Sequence, residues 1–239
     1  MNNQKIVLIT GVSREMGLGF EMAKKFANEG YQVILTAREI EKAKKLADKL
    51  NVVAMQLDVT DDTSVEKLAT EISNNFGKLD ILVNNAVNRL DFGGQPLSTD
   101  LNFAKEALDT NLFGAWRMVK AFVPLLKKSE GGRIVNVGSG AGSFTDPVFG
   151  MVTNPGDFTV YGITKVALNG LTVKLARELK DTKIKVNSAC PGFVATYPGM
   201  AENGAKPVSE GAESIYWAAT IPADGPSGGF FRNGQKLDW

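Results

Sequence analysis

The strongest constraint on the fold is an alternation, sustained along the whole chain, of short β-branched segments with longer segments of helical period. Residues 5–10, 32–37, 52–57, 79–84, 133–137 and 183–189 are apolar on both sides instead of alternating, the pattern of parallel strands covered by helices on both faces. Asp61 and Asp62 give N-terminal signals for a helix in which Val65, Leu68, Ile72 and Phe76 recur at helical spacing and which Gly77 ends. Residues 100–128 read as one helix, with Leu108, Leu112, Ala115, Val119 and Phe122 on a stripe, Asn111 near that stripe and Pro124 close to the end. A helix over residues 161–180, a strand, a helix over 209–220 and a final strand near 229–232 follow. Right-handed crossovers then give an α/β fold: a single doubly wound domain over residues 1–239, with about seven parallel strands and helices on both faces. No linker, repeat or low-complexity tract divides it, and the lysine-rich run 41–50 is a solvated helix face with a Glu41–Lys45 pair.

Composition narrows the chemistry. With 27 basic against 26 acidic side chains, a formal charge of +1, nothing draws the chain to nucleic acid or an acidic membrane surface. There is no His and only one Cys, Cys190, which excludes a disulfide framework, the usual zinc ligand sets and every His-based triad. No metal site is expected, and any acid or base must come from Tyr, Lys, Ser or carboxylates. No apolar stretch reaches the roughly 18 residues of a membrane span. The expectation is a soluble protein of a reduced, cytoplasmic compartment, with Cys190 an inert core thiol.

Two motifs carry the chemistry. Thr10-Gly11-Val12-Ser13-Arg14-Glu15-Met16-Gly17-Leu18-Gly19 sits between the first strand and a helix, where bare backbone and a helix N-terminus can receive a pyrophosphate. Tyr161-Gly-Ile-Thr-Lys165 opens a later helix and follows a strand ending at Gly138-Ser139. A separation of four puts Lys165 one turn from Tyr161, so that its ammonium can bring a phenol of ordinary pKa about 10 nearer neutrality.

Together these motifs resemble the short-chain dehydrogenase/reductase family from Lys5 to the C-terminus, and the long segment 143–158 with the ending Asp224-Gly-Pro-Ser-Gly-Gly-Phe-Phe-Arg232 resembles its carbonyl reductase branch. The family's opening reads TGxxxGxG. Laid directly on this chain it places Glu15 at the middle glycine; counting back from Phe26-Ala27-Asn28-Glu29-Gly30 places the pair on Gly17 and Gly19 instead, with a loop two residues longer. That second register is the one adopted. The resemblance implies a Rossmann fold and cofactor contacts from Gly11, Ser13, Arg14, Gly17, Leu18 and Gly19. It also implies that Asp58-Val59 meets the adenine, and that Asn85 and Ala86 of Asn84-Asn85-Ala86-Val87 let backbone approach the cofactor. Pro191, Gly192, Val194 and Thr196 would contact the nicotinamide end. Thr36-Ala37-Arg38 offers no acid for an adenosine ribose, whereas Arg38 offers a forked cation to a 2′-phosphate, with Arg14 as a second, so the implied cofactor is NADP(H).

The implied catalytic set is Asn111, Ser139, Tyr161 and Lys165. Tyr161 would be the proton donor, Ser139 the partner of the substrate oxygen, Lys165 the holder of the nicotinamide ribose and Asn111 the anchor of a relay water. Ser139 and Tyr161 are 22 positions apart, several more than is common in the family, and Phe144, Val148, Phe149, Met151 and Phe158 make the extra segment an apolar loop beside the site. The stretch from Thr196 to residue 209 is a short lid holding Tyr197, Pro198, Gly199 and Met200, which implies an open, permissive, hydrophobic site. The leading expectation is an NADPH-dependent reductase of a small-molecule aldehyde or ketone, with a homo-oligomer as one option for an assembly state that the sequence leaves open. A 3-oxoacyl thioester reductase and a non-catalytic NADP(H)-binding regulator are the alternatives; the regulator gives Ser139, Tyr161 and Lys165 no reason to coexist.

Overall fold

The computed structural model describes residues 4–88, 94–153 and 158–239. One sheet organises them: β1 (Ile6–Ile9), β2 (Gln32–Ala37), β3 (Val53–Gln56), β4 (Ile81–Asn84), β5 (Arg133–Val137), β6 (Lys185–Ala189), β7 (Phe230–Arg232) and β8 (Gln235–Lys236). Their order is β3-β2-β1-β4-β5-β6-β7-β8, with every pairing parallel except β7 with β8. This is the doubly wound arrangement, whose winding reverses between β1 and β4 and opens a crevice at the carboxyl ends of those strands.

The strands are apolar on both sides because both sides are buried. Ile6, Leu8, Ile34, Leu82, Ile134 and Val186 point into one layer, made with α3 (Asp62–Phe76), α5 (Ala115–Leu126) and α6 (Thr159–Glu178). Val7, Ile9, Val33, Leu35, Val83 and Val135 point into the other, made with α1 (Leu18–Asn28), α2 (Ile40–Leu50) and α7 (Val208–Thr220). Phe26 and Phe122, one on each side, are wholly buried, and such a side chain contributes about 1.5–3 kcal/mol through removal from water. At the sheet's opposite end the buried Asp80 carboxylate accepts from the Ile6 amide at 2.8 Å, from Ser129 Oγ at 2.6 Å and from Lys78.

Three details depart from the sequence reading. The helix expected over 100–128 is α4 (Leu101–Leu108), a π-helical segment Asp109–Gly114 and then α5. Gly114 lies so close to Val59 that a Cβ there would come within 2.7 Å of its Cγ2; the wide turn presses backbone against the β3 edge and swings Asn111 inward. There is an eighth strand, because Asn233 and Gly234, at φ 51° and 76°, turn the chain back after β7. Asn-Gly is the strongest short hairpin signal, and it was legible. Glu41 pairs with Lys44 at 3.0 Å, not with Lys45.

The α3 signals hold in detail: the Asp61 carboxylate accepts from the Thr63 amide at 2.9 Å, and Gly77 ends the helix in the left-handed region. Asp61→Ala should therefore lower stability by about 0.5–2 kcal/mol in urea unfolding without changing the m-value.

Candidate active site

The crevice at the β1/β4 reversal holds a cavity of about 700 Å³, within the size range of small-molecule and cofactor sites. Its edge is built by Thr10. Placed just after β1, Thr10 accepts at Oγ1 from the amides of Asn85 and Ala86, both at 3.0 Å, while Asn85 Nδ2 donates to the Thr10 carbonyl at 2.7 Å. This draws the loop after β4 against the glycine loop, and Gly11 meets it at φ 73°, where an added Cβ would lie 2.5 Å from Ala86 Cα. Only glycine fits there.

The glycines of the longer register lie at the start of α1 on the cavity wall. Gly17 is the N-cap of α1 and has no side-chain cap; Gly17, Leu18 and Gly19 all line the cavity. A Cβ at Gly19 would lie 2.9 Å from Asn85 Nδ2, and one at Gly17 would lie 3.0 Å from the Arg14 carbonyl. Glu15 does not line the cavity; its carboxylate pairs with Lys49 at 2.5 Å, at the end of α2. A negative charge at this position is thereby held off the cleft. Ser13 and Arg14 do line it, but Arg14 does not lie free for a 2′-phosphate. Its guanidinium stacks on Tyr197, 3.9 Å from the ring centroid, and donates to the Thr196 carbonyl at 3.1 Å. Arg38 is exposed at the cavity edge and makes no ion pair among the described residues, whereas its neighbours Glu39 and Lys42 pair with each other at 2.6 Å.

The other expected cofactor positions gather on the same cavity: Asp58, Val59, Asn85, Ala86, Pro191, Gly192, Val194 and Thr196. One Asp58 oxygen accepts from the amide and hydroxyl of Thr60 at 2.9 and 2.7 Å. Bare glycine backbone, an uncapped helix start and an uncommitted guanidinium fit a phosphorylated dinucleotide.

At the far end, Ser139 follows β5 and accepts at Oγ from the Ala141 amide at 3.2 Å. Tyr161 and Lys165 stand one turn apart on α6, and all three line the cavity. The Tyr161 phenol is hydrogen-bonded to Ser139, its ring set edge-on to Phe158 at 6.2 Å. Lys165 is 3% exposed; its ammonium donates to the Val137 carbonyl at 2.8 Å and lies 5.4 Å from the Tyr161 ring centroid. Burial pushes the phenol up to about 12 and the ammonium down to about 8. The expected lowering of Tyr161 by Lys165 is thus overturned, because desolvation penalises both charged forms and the ammonium is spent on a backbone carbonyl. At neutral pH Tyr161 is a phenol with a proton to give.

Asn111 lies behind this wall, not on it. It is buried, accepts from the Asn88 amide at 2.7 Å and donates to Thr164 Oγ1 at 3.0 Å, so it joins the loop after β4 to α6. Of the extra segment only Phe149 and Phe158 line the cavity; Phe144, Val148 and Met151 face solvent, and residues 154–157 lie outside the described residues. From the lid, Tyr197 and Met200 line it. Cys190 lines it as well, 2% exposed, with its sulfur accepting from the Gly192 amide at 3.3 Å and from Arg232. Sequence reading missed Phe193, a cavity residue, and Arg232 with Asp146 behind it. Burial alone would raise the Asp146 carboxyl, but the amides of Phe149 and Val148 and the Arg232 guanidinium outweigh it and hold the group below its usual range.

Glycine cradle, switch-point cavity and the Ser139–Tyr161–Lys165 cluster define a nucleotide-dependent oxidoreductase. The family model described as short chain dehydrogenase matches residues 5–206. The chain belongs to the short-chain dehydrogenase family. It is 31% identical to (+)-neomenthol dehydrogenase of Capsicum annuum, covering 95% of each chain, and 31% identical to salutaridine reductase of Papaver somniferum, covering 97% of this chain and 95% of that one. Both alignments run over more positions, 303 and 300, than this chain has residues, so both plant proteins carry segments that it lacks. Among solved structures, ElxO with NADP bound superposes with a TM-score of 0.83 at 29% identity, covering 97% of this chain and 98% of that chain. The salutaridine reductase structure gives 0.78 at 30%, covering 95% and 99%.

The register has a direct test. Gly17→Val should abolish dinucleotide binding in fluorescence titrations, whereas Glu15→Gly, which removes only an exposed ion pair worth about 0–1 kcal/mol, should leave it nearly unchanged. Equal loss in both variants would show that the glycines are misaligned.

Proposed function

We propose that this protein is an NADPH-dependent carbonyl reductase, converting a small-molecule aldehyde or ketone to an alcohol. The observation that carries the reading is the meeting of Ser139, Tyr161 and Lys165 in the cavity onto which the glycine loop opens. Supporting it are the family likeness, the reductases among its relatives and a structural neighbour that holds NADP. Gly11, Ser13, Gly17, Leu18 and Gly19 would hold the pyrophosphate, Asp58 and Val59 the adenine, and Pro191, Gly192, Val194 and Thr196 the nicotinamide end. Bound there, the cofactor would supply the hydride that adds to the carbonyl carbon.

The protein's own groups do the rest. Ser139 Oγ donates to the substrate oxygen and fixes its position, and Tyr161 gives that oxygen its phenolic proton as charge develops on it. The raised phenol suits reduction, because the donor is fully protonated at neutral pH. Lys165 would hold the nicotinamide ribose hydroxyls. Asn111, in the place the structure gives it, fixes the loop after β4 against α6 and keeps the Tyr161 turn in register. Val87, half-exposed at the cavity rim, together with Phe149, Phe158, Phe193 and Met200, favours an apolar substrate. The whole chain would act as one such domain. Its single buried thiol suits a reduced, cytoplasmic setting, and the exposed Phe113, Trp116 and Ile163 on the α5–α6 side suit a homo-oligomer.

Tyr161→Phe should lower turnover of a carbonyl panel by at least about a hundredfold while NADPH still binds; near-wild-type turnover would overturn the mechanism. A charge-assisted pairing of Arg38 with a 2′-phosphate is worth about 1.5–3 kcal/mol, or roughly one to two decades of preference for NADPH over NADH. Arg38→Asp should invert that preference in kcat/KM, since the carboxylate repels the phosphate and accepts from a free ribose hydroxyl. An unchanged ratio would remove Arg38 from the cofactor site.

A further inference from the structure

Arg232 lies on β7, beyond residue 206 where the family match ends, and it does not line the cavity. Its guanidinium nevertheless contacts Cys190, which lines that cavity, and Asp146, which stands behind the lining residue Phe149. Nη2 lies 2.5 Å from Asp146 Oδ2, and Nε and Nη2 each lie 3.4 Å from the Cys190 sulfur. Asp146, 4% exposed, uses Oδ1 to accept from the amides of Val148 and Phe149 at 3.0 and 2.9 Å. That turn aims Phe149 inward, where its ring packs on Phe193 at 5.7 Å. On the other branch, the Cys190 sulfur receives the Gly192 amide and so ties the turn after β6 to the same guanidinium. Gly140 makes room for the junction: a Cβ there would lie 2.8 Å from both Arg232 Nη2 and Asp146 Oδ2.

We propose that Arg232 is a specificity-determining positioning residue, which through Asp146 sets the Phe149–Phe193 wall against the Ser139–Tyr161 pair and so selects carbonyl compounds carrying a bulky apolar ring. The proposal rests on the carbonyl-reducing reading. An ion pair that served stability alone could sit anywhere in the fold. This one ends, on both branches, at residues that line the cavity. Without Arg232 the buried Asp146 carboxylate lacks its cation, the loop 143–153 must reopen to hydrate it, and Phe149 leaves Phe193. A small ketone, held by Ser139 and Tyr161 alone, would lose little; a ring-bearing ketone would lose the surface it packs on.

The test compares Arg232→Leu, Arg232→Lys and Arg232→Leu combined with Asp146→Asn with the wild type, using a short acyclic ketone, an aryl ketone and NADPH. Because the chain has a single thiol, modification of Cys190 by an aromatic disulfide reagent reports the Arg232 cover without any turnover. In Arg232→Leu, KM for the aryl ketone should rise at least about tenfold, while kcat, KM for the small ketone and NADPH affinity change less than about threefold. Measured at a pH alkaline enough to ionise thiols in every variant, so that loss of the neighbouring cation does not offset the gain in access, Cys190 should label at least about tenfold faster. Arg232→Lys should recover part of the KM change, and so should Arg232→Leu combined with Asp146→Asn, which leaves no buried carboxylate to hydrate and keeps Oδ1 as the acceptor for the Val148 and Phe149 amides. Lower thermal stability with unchanged aryl-ketone KM and labelling rate would overturn the proposal, as would equal losses for both ketones. If the wild type reduces neither ketone, the carbonyl reading fails, and the labelling rates still decide whether Arg232 covers Cys190.

Discussion

The contact on which the site depends is the seam between β1 and β4, where Gly11 lies against Ala86 and Thr10 accepts both the Asn85 and Ala86 amides. In a doubly wound sheet these two strands carry crossovers of opposite direction, so their carboxyl ends would diverge and leave backbone groups unpaired. The threonine hydroxyl and the Asn85 amide satisfy those groups across the gap. What remains is a crevice with a fixed edge. Because that edge is mostly backbone, it can approach a ligand closely, and the glycines of the loop follow from this more than from any flexibility.

The chemistry at the other end is governed by desolvation. Burial moves Lys165 and Tyr161 in opposite directions, to about 8 and about 12. A site in a chain with no His therefore stores its exchangeable proton on a phenol, which desolvation keeps protonated at neutral pH. The ammonium's carbonyl partner matters for the same reason: the Val137 bond holds a buried cation in place while adding no negative charge that would compete with a bound ligand.

The sheet was legible because its strands are apolar on both sides, and α3 because Asp61 and Gly77 mark its two ends. The candidate site was legible, as residues that line one cavity, where a motif is contiguous, as in the glycine loop and the Tyr161–Lys165 turn. It was not legible where the geometry depends on partners far apart in the chain. Asn111 could be seen beside an apolar stripe, but not that a π-helical segment would turn it between Asn88 and Thr164. The apolar residues 144–151 could be seen, but which of them faces inward depends on Asp146 meeting Arg232 from 86 positions away. Arg14 was read as a phosphate ligand from its position in the loop, and its commitment to Thr196 and Tyr197 is equally long-range.

The two extra residues of the glycine loop show how such long-range pairing permits a departure from a common pattern. A loop that carries Arg14 and Glu15 through the phosphate-binding turn would place opposite charges over the same anion, with no net gain and a desolvation penalty for each. Here the added length sends the two side chains apart, Glu15 outward to Lys49 on α2 and Arg14 across the cleft onto Tyr197. The cation is thereby left facing the cavity and the carboxylate is not. The same contact fastens the short lid to the glycine loop, so that two rims of the cavity are joined through one guanidinium lying on one aromatic ring.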